Sequence, residues 1–221
     1  MGNFNPLFHS PRRFAIAATR SRSQRRHALG RSWKQPDLGN TTSYMMEQRM
    51  ANLHLRDARD TDRDSIRGVT ISAYEDYANQ WFWEVYRQYI LETLAHIDPA
   101  EQIVAEQDGR IVGAVLLYLA DTVFDGPDGE MVQLEHPRVR LLAVAPAARG
   151  HGVGKALMQE CIRRARQSGS PAITLHTNDF MQTAVRLYER LGFVWAPELD
   201  AEPAPGIISK GYRLALEDYR A

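Results

Sequence analysis

Arg149-Gly150-His151-Gly152-Val153-Gly154-Lys155 is the stretch that decides the fold. It follows an apolar run, Val139 to Ala145, that ends at Pro146. It leads into Val153, Leu157, Cys161 and Ala165, which recur every four positions, with Lys155, Gln159, Arg163 and Arg166 off that line. The first pattern predicts a buried strand and the second an amphipathic helix. At a strand-to-helix junction, free backbone N–H groups and the positive helix end can hold a phosphate. Glycines serve there because a side chain would block the approach of ligand to backbone.

Spacing decides which phosphate ligand is meant. A Walker A loop needs Gly-x-x-x-x-Gly-Lys-Ser/Thr, but Arg149 stands where its first Gly belongs and Ala156 where its hydroxyl belongs. A dinucleotide fingerprint needs Gly-x-Gly-x-x-Gly, but Gly150 and Gly152 are followed by Lys155 at the third position. Both readings fail.

Arg149-x-x-Gly152-x-Gly154 resembles the Arg/Gln-x-x-Gly-x-Gly/Ala signature of the GNAT acetyltransferase superfamily, and Leu142-Ala143-Val144-Ala145-Pro146 resembles its lead-in strand. A second segment, Leu187-Tyr188-Glu189-Arg190-Leu191-Gly192-Phe193, is similar to that family's Leu-Tyr-x-x-x-Gly-Phe pattern. The resemblance covers residues 53–216. It implies acetyl-CoA as co-substrate: backbone amides of Arg149, Gly150, His151, Gly152, Val153, Gly154 and Lys155 hold its pyrophosphate, and Leu142, Ala143 and Val144 pair with the pantetheine arm. Asn178 either hydrogen-bonds the pantetheine amides or caps a helix. The implied fold is α/β, a mostly antiparallel mixed, twisted sheet of about seven strands with helices on both faces.

Downstream of the glycine turn the pattern gives a strand at Ala172–His176 and a helix striped by Ala184, Leu187, Tyr188 and Leu191 and ended by Gly192. Strands follow at Phe193–Ala196 and Ile208–Leu216, across a Pro- and acid-rich loop. Upstream, Leu53–Arg59 alternates like a strand, and Thr61 with Asp64 resembles a helix-start box before Ile66, Val69 and Ile71. Asn79–His96 reads as a second helix. Gln102–Gln107 and Ile111–Ala120 read as a hairpin turning at Asp108-Gly109, and Asp125–Gly129 as a polar loop.

The 221 residues are 44% hydrophobic and 24% charged, enough to bury one core. The formal net charge of zero is a cancellation. Residues 1–44 carry Arg12, Arg13, Arg20, Arg22, Arg25, Arg26, Arg31 and Lys34 against Asp37, which makes that segment +7 and the remainder −7. The segment reads as a disordered basic extension, with 45–221 as the acetyltransferase domain; a transit peptide or nucleic-acid arm is the alternative reading of it. An acidic body argues against nucleic acid as a partner. With Cys161 as the one cysteine, an intrachain disulfide and a cysteine-rich zinc site are excluded, and the histidines lack zinc spacing, so no metal is expected. No apolar run approaches the roughly 18–20 residues of a membrane span. The cytoplasm is the expected compartment, and a homodimer is left open.

Catalysis calls for an acid and a base. A departing thiolate accepts a proton from a nearby phenol, and Tyr188, on the striped helix, is the candidate; the alternative is a core aromatic. For the base, the histone-acetylating branch of the superfamily uses a glutamate on the central strand, but Arg138 stands at that position here. Glu135, just upstream beside His136, is the candidate instead; His136 and His176 read equally as partly exposed residues with no catalytic task. Cys161, within the helix stripe, is core rather than nucleophile. In the superfamily the first two helices wall the acceptor site, which points to Tyr74-Glu75-Asp76-Tyr77 and Trp81-Phe82-Trp83-Glu84. Acids beside aromatics suit a small cationic amine; the alternative is that Trp81 and Trp83 are core residues and the acids a solvated face. A protein N-terminus or lysine as acceptor, and a regulator that binds acetyl-CoA without turnover, are the alternatives.

Overall fold

The computed structural model describes residues 52–125, 131–204, 207–217 and 219. The basic stretch 1–44, and with it the expected domain boundary at residue 45, lies outside them. Strands are β1 (Leu53–Asp57), β2 (Glu101–Gln107), β3 (Arg110–Tyr118), β4 (Val123–Asp125), β5 (Met131–Gln133), β6 (Arg138–Val144), β7 (Ala172–Thr177), β8 (Val194–Trp195), β9 (Ala201–Ala204) and β10 (Ile207–Ala215). Helices are α1 (Arg63–Tyr74), α2 (Trp83–Ala95), α3 (Val153–Gln167) and α4 (Gln182–Arg190).

The main sheet runs β1-β2-β3-β6-β7-β10-β8, with β9 on β10. Its pairs are antiparallel except β6 with β7. Parallel neighbours need a crossover, and α3 supplies it. Alternation along β2 and β3 sorts the core into two layers. Ile103, Ala105, Val115 and Leu117 pack with Val153, Leu157, Cys161 and Tyr188 under α3 and α4. Val104, Ala114, Leu116 and Tyr118 face Ile66, Ile71 and Ile90 of α1 and α2. The four-residue stripe of α3 is wholly buried. Truncating Leu157 there would cost about 2–5 kcal/mol. Gly113 sets how closely α3 sits on β3, since a Cβ there would come within 2.9 Å of Val153 Cγ1 and 3.0 Å of Leu157 Cδ1.

Several boundaries differ from the sequence reading. Residues 79–82 are turn rather than helix, so α2 starts at Trp83. The helix-start contact lies two residues earlier than Thr61 and Asp64: the Asp62 carboxylate accepts from the Arg59 amide at 2.8 Å and from Arg56 at 2.6 Å. The polar stretch after residue 120 contributes the pair β4 and β5, with residues 126–129 of the expected polar loop outside the described residues, and the acid-rich stretch after Pro197 contributes β9. Strands of three or four residues are too short to show a period.

Candidate active site

Two irregularities in the middle of the sheet make the site. β6 and β7 pair only at Arg138 with Thr174 and Val139 with Leu175, after which they part. Each keeps its outer partner, β6 on β3 and β7 on β10. From Arg140 and His176 onward, therefore, two backbone edges face each other unpaired across a gap. The second irregularity is a bulge. Ala114 pairs with Ala143 and Leu116 with Arg140, so two steps on β3 meet three on β6. Leu141 takes up the extra residue with φ of 50°, a strained value for a branched side chain. The bulge breaks the alternation. Arg140 and Leu141 both lie on the α2 face, while Val139, Leu142 and Val144 lie toward α3.

Beside the gap, Gly150 (φ 75°) and Gly152 (φ 81°) turn the chain into α3. These left-handed conformations are strained for other residues, and Gly152 itself is the N-cap. No side chain caps the helix, and its first backbone bond runs from Ala156 to Gly152. The amides of Val153, Gly154 and Lys155 thus lack an intrahelical partner. Arg149 departs from the expectation of a ligand-facing group. Its amide bonds Pro146 O, and its guanidinium donates to Ala73 O at 2.9 Å and pairs with Asp76. It ties the turn to the end of α1.

Across the gap, Thr177 Oγ1 and Asn178 Oδ1 are buried without a hydrogen-bond partner. Asn178 does not cap α4, whose N-cap is Met181. Two orphaned polar atoms beside an open strand edge suit an extended amide-bearing arm, and uncapped amides suit a pyrophosphate. The chain's own residues therefore fit CoA.

Tyr188 is buried against Phe193, with ring centroids 6.0 Å apart. Burial, then the neighbouring Tyr86, pushes its phenol well above the ordinary tyrosine range. Tyr74 and Tyr86 are raised in the same way, and the Tyr74 hydroxyl donates to Leu142 O at 3.3 Å, at the bulge. Phe180, absent from the sequence reading, joins this cluster at 5.3 Å from Tyr77 and 5.2 Å from Phe82. Burial likewise pushes the Cys161 thiol up, which leaves it a poor nucleophile.

The acids named from sequence are all exposed. Glu135 is 88% exposed, with His136 Nε2 at 3.7 Å. Glu75, Asp76 and Glu84 are exposed, Asp76 being held by Arg149. Trp83 is buried but Trp81 is 76% exposed, so the two do not form one wall. The charge beside the fork of the strands is positive instead: Arg138 and Arg140 lie on the α2 face, opposite Tyr118 and Leu116. Burial pulls both guanidiniums below their ordinary range. His176, on β7, has Nε2 2.7 Å from Leu199 O, which leaves Nδ1 as the lone-pair nitrogen. Burial lowers its pKa; the Leu199 bond opposes this, and Arg138 and Arg140 add to it. Among the described residues no group of three His, Cys, Asp or Glu is arranged to hold a metal, and no helix is long and apolar enough to cross a membrane.

A sheet parted beside a helix that opens in free amides is the geometry to be compared with known proteins. The sequence profile of the Acetyltransferase (GNAT) family matches residues 69–193, and the chain belongs to that family. It is similar to the mycothiol acetyltransferase of Thermomonospora curvata, 31% identical over 121 residues, which are 55% of this chain and 37% of that protein. The chain spans less than half the length of the curated relatives of that name that it matches. Its fold is similar to a GNAT-family acetyltransferase from Staphylococcus aureus Mu50 (TM-score 0.57, 16% identity, 74% of this chain and 99% of that one). It is also similar to one from Brucella melitensis in complex with acetyl-CoA (TM-score 0.51, 22% identity, 76% and 91%).

Proposed function

We propose that the chain binds acetyl-CoA in the gap between β6 and β7 and transfers the acetyl group directly to the amine of a small molecule. The observation that carries this is the parting of β6 and β7 after two residue pairs, beside an uncapped helix. The amides of Gly150 to Lys155 hold the pyrophosphate, and the open edge of Leu142, Ala143 and Val144, with Thr177 and Asn178 opposite, holds the arm. The thioester supplies an activated acyl carbon and a thiolate leaving group. Backbone N–H groups near Leu142 polarise its carbonyl. Tyr188, kept protonated by its burial, donates to the departing sulfur.

For proton removal from the acceptor, Glu135, 88% exposed, is one reading, acting through water. His176 is the second reading, favoured because its environment keeps it neutral and fixes Nδ1 as acceptor. The relatives' name, mycothiol acetyltransferase, supports a small-molecule acceptor rather than a peptide.

The test is thiol release from acetyl-CoA with a panel of amines, wild type against Tyr188→Phe. The expected result is a kcat lowered roughly 10–100-fold with acetyl-CoA affinity unchanged. Equal turnover in the two proteins would remove Tyr188 from the mechanism, and no turnover with any amine would favour a non-catalytic regulator.

A further inference from the structure

Arg138 is a cation the transfer chemistry leaves unused. It occupies the first of the two residue pairs that close the fork of β6 and β7, opposite Tyr118 on the α2 face. Among the described residues it has no ion pair, and its Nε is buried without a hydrogen-bond partner. Arg140 lies two residues further along, its guanidinium 5.3 Å from the Tyr89 ring centroid and 5.4 Å from that of Tyr118. Arginine stays charged at any working pH, and burying a charge without a counter-charge costs stability. An anion arriving from outside removes that cost, and a guanidinium fork matches carboxylate and phosphate.

We propose that the acceptor carries a carboxylate or phosphate beside its amine, and that Arg138, backed by Arg140, binds that anion on the face of the sheet opposite the cofactor turn. This rests on the transferase reading above and replaces the expectation of a cationic acceptor. A polyamine would bring like charge against two arginines. The acids once assigned to such an acceptor are exposed.

The test titrates the full chain, saturated with CoA so that no turnover occurs, with four amines on one two-carbon frame: β-alanine, phosphoethanolamine, ethanolamine and 1,2-diaminoethane. The expected result is that one or both anions bind at least about tenfold more tightly than ethanolamine, with the diamine weakest. The first two compounds distinguish a carboxylate from a phosphate. Arg138→Gln is expected to erase the preference. Preference for neither anion, binding of neither, or a preference that survives Arg138→Gln overturns the proposal. Acetyl-CoA titrated into the chain free of CoA and of amines separates the readings. Failure to bind it sinks the transferase, whereas binding without anion preference sinks this proposal alone. A second variant reads the cost of the unpaired charge: Arg138→Met is expected to raise the Tm by about 2–4 °C. A fall of similar size would make Arg138 a structural strut and contradict the proposal.

Discussion

The two faces of the parted sheet are built from different materials. On the α3 side the proposed cofactor seat is mostly backbone: a bulged strand edge, two glycines with positive φ and a helix end without a cap. On the α1 and α2 side the proposed acceptor seat is all side chain: Tyr74 and Tyr86 from the helices, Arg138 and Arg140 from β6, His176 from β7 and Phe180 from the loop beyond it. Backbone recognition is indifferent to most side chains and suits a fixed ligand. Side-chain recognition changes with each substitution and suits a ligand that differs between relatives.

The widest break in that contrast would come from Gly152→Glu. It forces a side chain onto φ of 81° and sets a carboxylate among the amides, so acetyl-CoA affinity is expected to fall at least about 100-fold. A loss below tenfold in a calorimetric titration would mean that the seat is not made of those amides. His176→Gln sharpens the other side. A protonated imidazole cannot accept a proton, so wild-type activity should fall as the pH drops through the folded pKa, which lies below the ordinary 6.5, and hold above it. The variant should lose roughly 10–100-fold at neutral pH together with that acid limb; an unchanged pH profile returns the base role to Glu135 or water. The smallest effect belongs to Arg149→Ala, which cuts the tie between the turn and α1. Its ion pair is partly exposed and screened, so a Tm decrease of about 2–4 °C is expected in a melting scan, with no decrease if the tie is idle.

The same contrast explains what was legible in the sequence. The α3 stripe, the glycine turn and the Leu187–Phe193 segment are contiguous, and each shows a period or a spacing that physical chemistry reads directly. The bulge at Leu141 leaves no such trace, because leucine does not advertise a left-handed conformation. Phe180 gains its meaning only through contact with Tyr77 and Phe82, far away in the chain. The exposure of the acids at 75, 76 and 84 was not legible either, because the period of a short helix does not fix which carboxylates face solvent. The tie from the Arg149 side chain to the end of α1 joins residues far apart in the chain and leaves no local pattern.

The most direct test of the central claim is a calorimetric titration of the full chain with acetyl-CoA. One site of micromolar affinity is the predicted result, unaltered in Tyr188→Phe. No heat and no thermal shift with wild type would contradict it, and would leave the parted strands and their glycine turn as structure alone.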